Sequence, residues 1–171
     1  MIGNDIVDLQ LAKKESNWKR KGFLDKIYTK NEQKLILAAE NPDLSVWNLW
    51  SRKEAAYKIY NRSARIRVFN PTKLECLEVS FDENESFGIV QLDDIIFLTK
   101  TTVNADFINS IAFVDKRQKY HSEIFEIEAY SSFLKEQKIV KNQFGIPCFL
   151  NKNELVSISH HGRYCSYTAT I

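Results

Sequence analysis

The sequence predicts an α+β fold in which an antiparallel sheet packs against helices. Helix-start signals and helical periodicity crowd into the first third of the chain, and past Asn70-Pro71 the apolar pattern changes to runs of period two. The composition supports a sizeable core: 44% hydrophobic, 27% charged and 12% aromatic, with 5 Gly and 3 Pro in 171 residues. The chain reads as one domain, 1–171, with an enlarged β-rich middle region at about 70–140.

Ile2–Val7 has the make-up of a short strand, and a helical stretch starts near Asp8, the better N-cap candidate. A basic segment follows with Lys13, Lys14, Lys19, Arg20 and Lys21. Thr29-Lys30-Asn31-Glu32 has capping-box spacing and predicts a helix from about Lys30 to Glu40. After a break at Asn41-Pro42-Asp43, a second helix is expected from Leu44 to about Asn61. Leu77, Val79 and Phe81 alternate with polar residues, and Phe87–Leu92, Ile95–Thr101 and Phe107–Val114 extend a β-meander. Ser122 to about Lys138 reads as helical. Gly145-Ile146-Pro147 starts an extended stretch, and Leu155–Ser159 with Tyr164–Thr170 reads as a closing hairpin around His160-His161-Gly162-Arg163.

Net charge is +2, unevenly spread: residues 1–67 carry +6 and residues 68–171 carry −4. The first third is therefore suited to an anionic partner, and nucleic acid, a phosphorylated cofactor or an acidic protein would each satisfy it. Cys76, Cys148 and Cys165 lack the spacing of a disulfide framework or a zinc site and fit reduced core positions. The opening residues lack a secretory pattern, and no run approaches the ~18 apolar residues of a membrane span. A cytoplasmic location without membrane partners is the expectation.

Chemistry shows first on the helix around residue 54. Val46, Leu49, Trp50, Tyr57 and Tyr60 define an apolar arc with Lys53 near its middle; Glu54 projects between Trp47 and Trp50, with Lys58 one turn beyond. Charges in an apolar stripe are costly unless paired or binding something. One reading is a Glu54–Lys58 helix pair with Lys53 snorkelling to water. The other is an acid and two ammonium groups held at a cleft for a polyanion that brings a divalent cation. Asp5 lies in an otherwise apolar strand beside Gly3, which permits close backbone approach. Asp5 plus Glu54 meets the one-or-two-carboxylate requirement of Mg²⁺. The His160-His161 pair with Arg163 serves equally as a phosphate contact or as a turn with partly exposed imidazoles.

Together these segments resemble the 4′-phosphopantetheinyl transferase superfamily. That family has a G-x-D strand, a W/F-[ST]-x-K-E-[SA]-x-x-K helix and a [SV]-[IL]-[ST]-H strand. The corresponding segments here are Ile2-Gly3-Asn4-Asp5, Trp50-Ser51-Arg52-Lys53-Glu54-Ala55-Ala56-Tyr57-Lys58 and Ser157-Ile158-Ser159-His160, and Gly145-Ile146-Pro147 is similar to the family's G-x-P element. The resemblance implies the 4′-phosphopantetheinyl transferase-like fold and a Mg²⁺-dependent transferase that moves phosphopantetheine from coenzyme A to a serine of an apo carrier protein. Asp5 and Glu54 would hold the metal, with Glu54 as general base and Lys58 facing the departing 3′,5′-ADP. Lys53, Lys58 and His160 would contact phosphates, with Arg62, Arg65 or Arg67 standing in for the family's Gly-rich loop.

Motif order, with the Asp strand first and the His strand last, is similar to the short holo-[acyl-carrier-protein] synthase type that serves fatty acid biosynthesis. Val7 also matches that type, where the double-length type has a second carboxylate. The short type is a homotrimer with sites between subunits, which would lend His160 to a neighbour; the long 70–140 region counts against that assembly without replacing it, leaving homotrimer and monomer as the alternatives. Both stay open. An acidic acyl or peptidyl carrier protein would dock around Lys13–Lys26, although Gly22 stands where the family commonly has Arg. The rival readings are a non-catalytic coenzyme A-binding homologue and a nucleic-acid-binding module. Basic residues here alternate with acids, and no helix-turn-helix, RNP or zinc pattern occurs, so nucleic acid is not an expected partner.

Overall fold

A computed structural model describes residues 1–65, 68–82 and 84–171. Strand β1 (Ile2–Asp8) leads into helix α1 (Leu9–Glu15), which Asp8 caps by accepting the Gln10 and Leu11 N–H groups. After the short α2 (Phe23–Ile27), Thr29 and Glu32 close a full capping box on α3 (Lys30–Ala38). The long α4 (Pro42–Ala64) begins two residues before the expected start. Asn41 caps it and Pro42 occupies the first turn, where a missing N–H costs nothing, so the Asn-Pro-Asp break is itself the helix start.

The expected meander is present as β2 (Leu74–Asp82), β3 (Glu85–Leu92), β4 (Ile95–Val103) and β5 (Phe107–Phe113). The side chains of Val79 and Phe81 lie outside the described residues. Strand β1 adds to β5, giving the antiparallel order β1-β5-β4-β3-β2. Helix α4 lies on one face of this sheet, where Val46, Leu49, Ala56 and Ile59 share a core with Leu74, Val90, Phe97 and Ile108. Arg52 is fully buried among them; it donates to Asn48 (2.7 Å), Ser86 (2.6 Å) and Thr99, and burial pushes its guanidinium down to about 10.

The expected helix over Ser122–Lys138 is replaced in its first half by a strand, β6 (Tyr120–Glu126). Only α5 (Tyr130–Glu136) remains helical, after a short 3₁₀ turn. Strand β6 pairs along its whole length with β10 (Tyr164–Thr170). In that pairing Tyr120, Ile124 and Phe125 occupy a pleated surface that suits β-branched and aromatic side chains, and a partner distant in sequence overrides the local helical pattern. Strand β9 (Val156–His161) completes the order β6-β10-β9, and β7 (Ile139–Lys141) pairs with β8 (Pro147–Phe149). A second small core of Ile139, Phe149, Val156, Tyr167 and Ala169 lies under these strands.

The two sheets meet along the outer edge of β1. The N–H groups of Asn4, Ile6 and Asp8 face away from β5, and side chains of β9 satisfy them instead of a backbone ladder. They donate to Ser157 Oγ (3.1 Å), Ser159 Oγ (3.4 Å) and His161 Nδ1 (2.9 Å). The opposite contact, of β1 with α4, is tighter still: a Cβ on Gly3 would lie 2.2 Å from the Ala55 carbonyl oxygen. Gly3→Ala is expected to destabilise the chain by about 2–3 kcal/mol in urea unfolding, because the clash is with backbone rather than a movable side chain.

Candidate functional site

Strand β1, helix α4 and the end of β9 surround a cleft of about 450 Å³ lined by Asp5, Glu54, His160 and His161, with Trp47 and Trp50 among its apolar walls. Asp5 is buried; Ser159 donates to its Oδ1 at 2.8 Å and Lys58 Nζ stands 3.8 Å away. Burial raises its carboxyl, against the pull of Lys58. Glu54 is pushed up to about 7, first by burial and then by the neighbouring Asp5, with Lys58 opposing. No described residue donates a hydrogen bond to its carboxylate. Lys58 itself donates to the carbonyls of Asn4 (2.6 Å) and Ile158 (3.4 Å), and burial lowers its ammonium.

Two neighbouring carboxylates, both raised by burial and lining one cleft, suit a hard divalent cation. Mg²⁺ takes one or two protein carboxylates and fills its octahedron with water and phosphate oxygens. No group of three or more His, Cys, Asp or Glu converges among the described residues, so a closed all-protein cage is not the arrangement here.

His160 also borders a second chamber of about 420 Å³ that reaches Lys58, Arg62, Tyr130 and Lys141. Its imidazole is exposed and packs on Tyr130 with ring centroids 5.3 Å apart. Arg62 donates to the Val156 carbonyl at 2.5 Å, while its buried Nε has no partner among the described residues. Gly145-Ile146-Pro147 lines this chamber as well. A cationic chamber thus adjoins an acidic cleft, and His160 stands between them.

Three expected cations are elsewhere. Lys53 does not reach either chamber, nor does it snorkel to water: it is fully buried, 2.6 Å from Glu32 Oε2, and donates also to the carbonyls of Ile27 and Pro71. That ammonium is consumed by the fold, since Glu32 is needed where it caps α3 and accepts the Cys76 N–H at 2.8 Å. Arg65 caps the end of α4 with φ 55 and lays its guanidinium over Phe144 at 4.7 Å. Arg67 lies outside the described residues. Arg163 turns to Asp8 and Asp106 rather than to a phosphate position.

The sequence assigns no role to Ser159, Tyr130 or Lys141. The alternation Ser157-Ile158-Ser159 was a signal for the first; the other two carried none. Lys13, Lys14, Lys19, Arg20, Lys21 and Lys26 are exposed next to the cleft wall formed by Ala12, Ser16, Phe23 and Ile27. No helix among the described residues is long and apolar enough to cross a membrane.

A family model described as the 4′-phosphopantetheinyl transferase superfamily matches residues 1–122. The match takes in Asp5, Glu54 and Lys58 and stops short of β9 with His160. Among curated proteins none matches the chain.

Lys53→Met is expected to cost about 3–5 kcal/mol in chemical denaturation, because Glu32 would stay buried without its counter-charge, and Glu32→Gln added to it should recover part of that loss. Glu54 gives a pH-dependent signature of the opposite kind. The folded chain keeps its proton up to about pH 7, whereas the ordinary value is 4.5. The stability this group lends is complete below about pH 4.5 and is lost as pH rises through 7. Glu54→Gln should therefore stabilise the metal-free chain by about 2 kcal/mol at pH 8 and leave it unchanged at pH 4, read by urea unfolding at both.

Proposed function

Because the chain belongs to the 4′-phosphopantetheinyl transferase superfamily, we propose that it moves 4′-phosphopantetheine from coenzyme A to a serine of an apo carrier protein. The superfamily consists of transferases that use coenzyme A as donor and act on carrier proteins. The observation that carries the finer reading is the coupled pair Asp5 and Glu54, in a cleft that opens onto a cationic chamber.

In this reading the serine oxygen attacks the β-phosphorus of coenzyme A, a new P–O bond forms, and the bond to the bridging oxygen breaks. That oxygen leaves with 3′,5′-ADP. Glu54, directly or through a water, accepts the serine proton as general base. Asp5 and Glu54 would hold Mg²⁺, which supplies charge neutralisation on the diphosphate. Lys58, beside Asp5, faces the departing phosphate, and its lowered ammonium suits it to neutralise or protonate that group. His160 and Arg62 bind phosphates at the nucleotide end, with Lys141 added to the set, while Lys53 and Arg65 are removed from it.

Asp5, Glu54 and His160 line one cleft within one chain, so this set needs no neighbouring subunit, and we take residues 1–171 as a single catalytic domain. The motif order favours the holo-[acyl-carrier-protein] synthase type, with an acidic carrier steered to the exposed lysines around Lys13–Lys26. A coenzyme A-binding homologue without activity would have no use for two costly, coupled carboxylates.

Incubation with apo carrier, coenzyme A and Mg²⁺ is expected to add the mass of phosphopantetheine to the carrier. Chelation of the metal or Glu54→Gln should abolish the gain. No mass gain across fatty-acid, polyketide and peptide-synthetase carriers would sink the assignment.

A further inference from the structure

The β9–β10 turn fixes a second imidazole in the cleft. Gly162 opens its two-residue loop with φ 56, and a Cβ there would lie 2.5 Å from Asp8 Oδ2. Arg163 grips the same carboxylate through Nε (2.9 Å) and Nη2 (3.1 Å), and its backbone N–H donates at 3.1 Å. His161, the residue just before this clamp, accepts the Asp8 backbone N–H at Nδ1, 2.9 Å away. A backbone N–H only donates, so Nδ1 is the acceptor and the ring proton sits on Nε2. Nε2 has no partner among the described residues, and the ring lines the cleft with Asp5 and Glu54.

We propose that His161 is a catalytic residue whose Nε2–H donates a hydrogen bond to a non-bridging oxygen of the phosphoryl group in transfer. The proposal rests on the transferase reading above. Phosphoryl transfer spreads charge over the equatorial oxygens, and a donor already locked in place stabilises that charge without reorganising. A neutral imidazole does this without burying a further charge, and no proton leaves it. His160 lines the same cleft but is exposed, packs on Tyr130 and also borders the second chamber. The Asp8 contact makes His161 a strand cap as well, so the experiment must separate the two roles.

Two amide variants do so. In His161→Asn the side-chain oxygen falls near the Nδ1 position and keeps the Asp8 bond, while the donor at Nε2 is gone. In His161→Gln the amide N–H reaches the Nε2 position and the Asp8 cap is lost. His161→Asn is expected to melt with the wild type and to lose about 10- to 100-fold in kcat, with KM for coenzyme A nearly unchanged. His161→Gln is expected to melt lower and to keep kcat within a few-fold of wild type. Wild-type kcat in His161→Asn, or an equal kcat loss in both variants, would overturn the donor role. A wild-type chain inactive on every carrier would overturn the transferase reading itself, and the donor role with it.

Discussion

The approach of β1 to α4 at Gly3 and Ala55 sets the position of everything chemical in this molecule. With no side chain between strand and helix, a Cβ at Gly3 would lie 2.2 Å from a backbone oxygen. Asp5 comes two residues later on the same face of β1, and Glu54 and Lys58 flank Ala55 on the helix. The register is stitched by Ser51 donating to the Asp5 carbonyl (3.3 Å) and Lys58 to the Asn4 carbonyl (2.6 Å). A wider strand–helix spacing would weaken the repulsion between the carboxylates, which adds to burial in raising Glu54 to about 7.

Helix α4 shows how the neighbourhood of a buried charge decides what it is for. Lys53 and Lys58 are five residues apart on one helix. Lys53 has a carboxylate and two carbonyls, and Glu32 opposite is satisfied by Thr29, Cys76 and Lys53 itself. Nothing is left over to bind anything else. Lys58 also donates to two carbonyls and lies 3.8 Å from Asp5, but it borders an open chamber, and burial lowers its ammonium. The first lysine closes a core; the second stands beside a cavity, the kind of place that marks a candidate site.

Much of this was legible in the sequence, for local reasons. The Thr29–Glu32 capping box, the Asp8 cap, the meander and Gly3 are all specified by neighbours within a few residues or by strict alternation. Asp5 and Glu54 stood out because charges on apolar faces demand an explanation. What escaped depended on partners far along the chain. Tyr120–Glu126 became a strand because β10 was there to pair with it, and Lys53 became structural because Glu32 stood 21 residues away with its acceptors turned inward. Arg65 could not be told from Arg62 by type or spacing; only Phe144 and Val156 separate them.

The capped edge of β1 bears on how the molecule is made. Its hydrogen bonds to β9 span 153 residues, nearly the whole length of the chain. A ribosome releases β1 long before Ser157, Ser159 and His161. Until then the opening strand offers a row of unsatisfied N–H groups, which is the template for pairing with another nascent chain. Contacts of such sequence separation also form slowly. Helix α4, by contrast, follows β1 within 60 residues, so the half of the cleft carrying Asp5 and Glu54 can assemble early, while the half carrying the two histidines waits for β9.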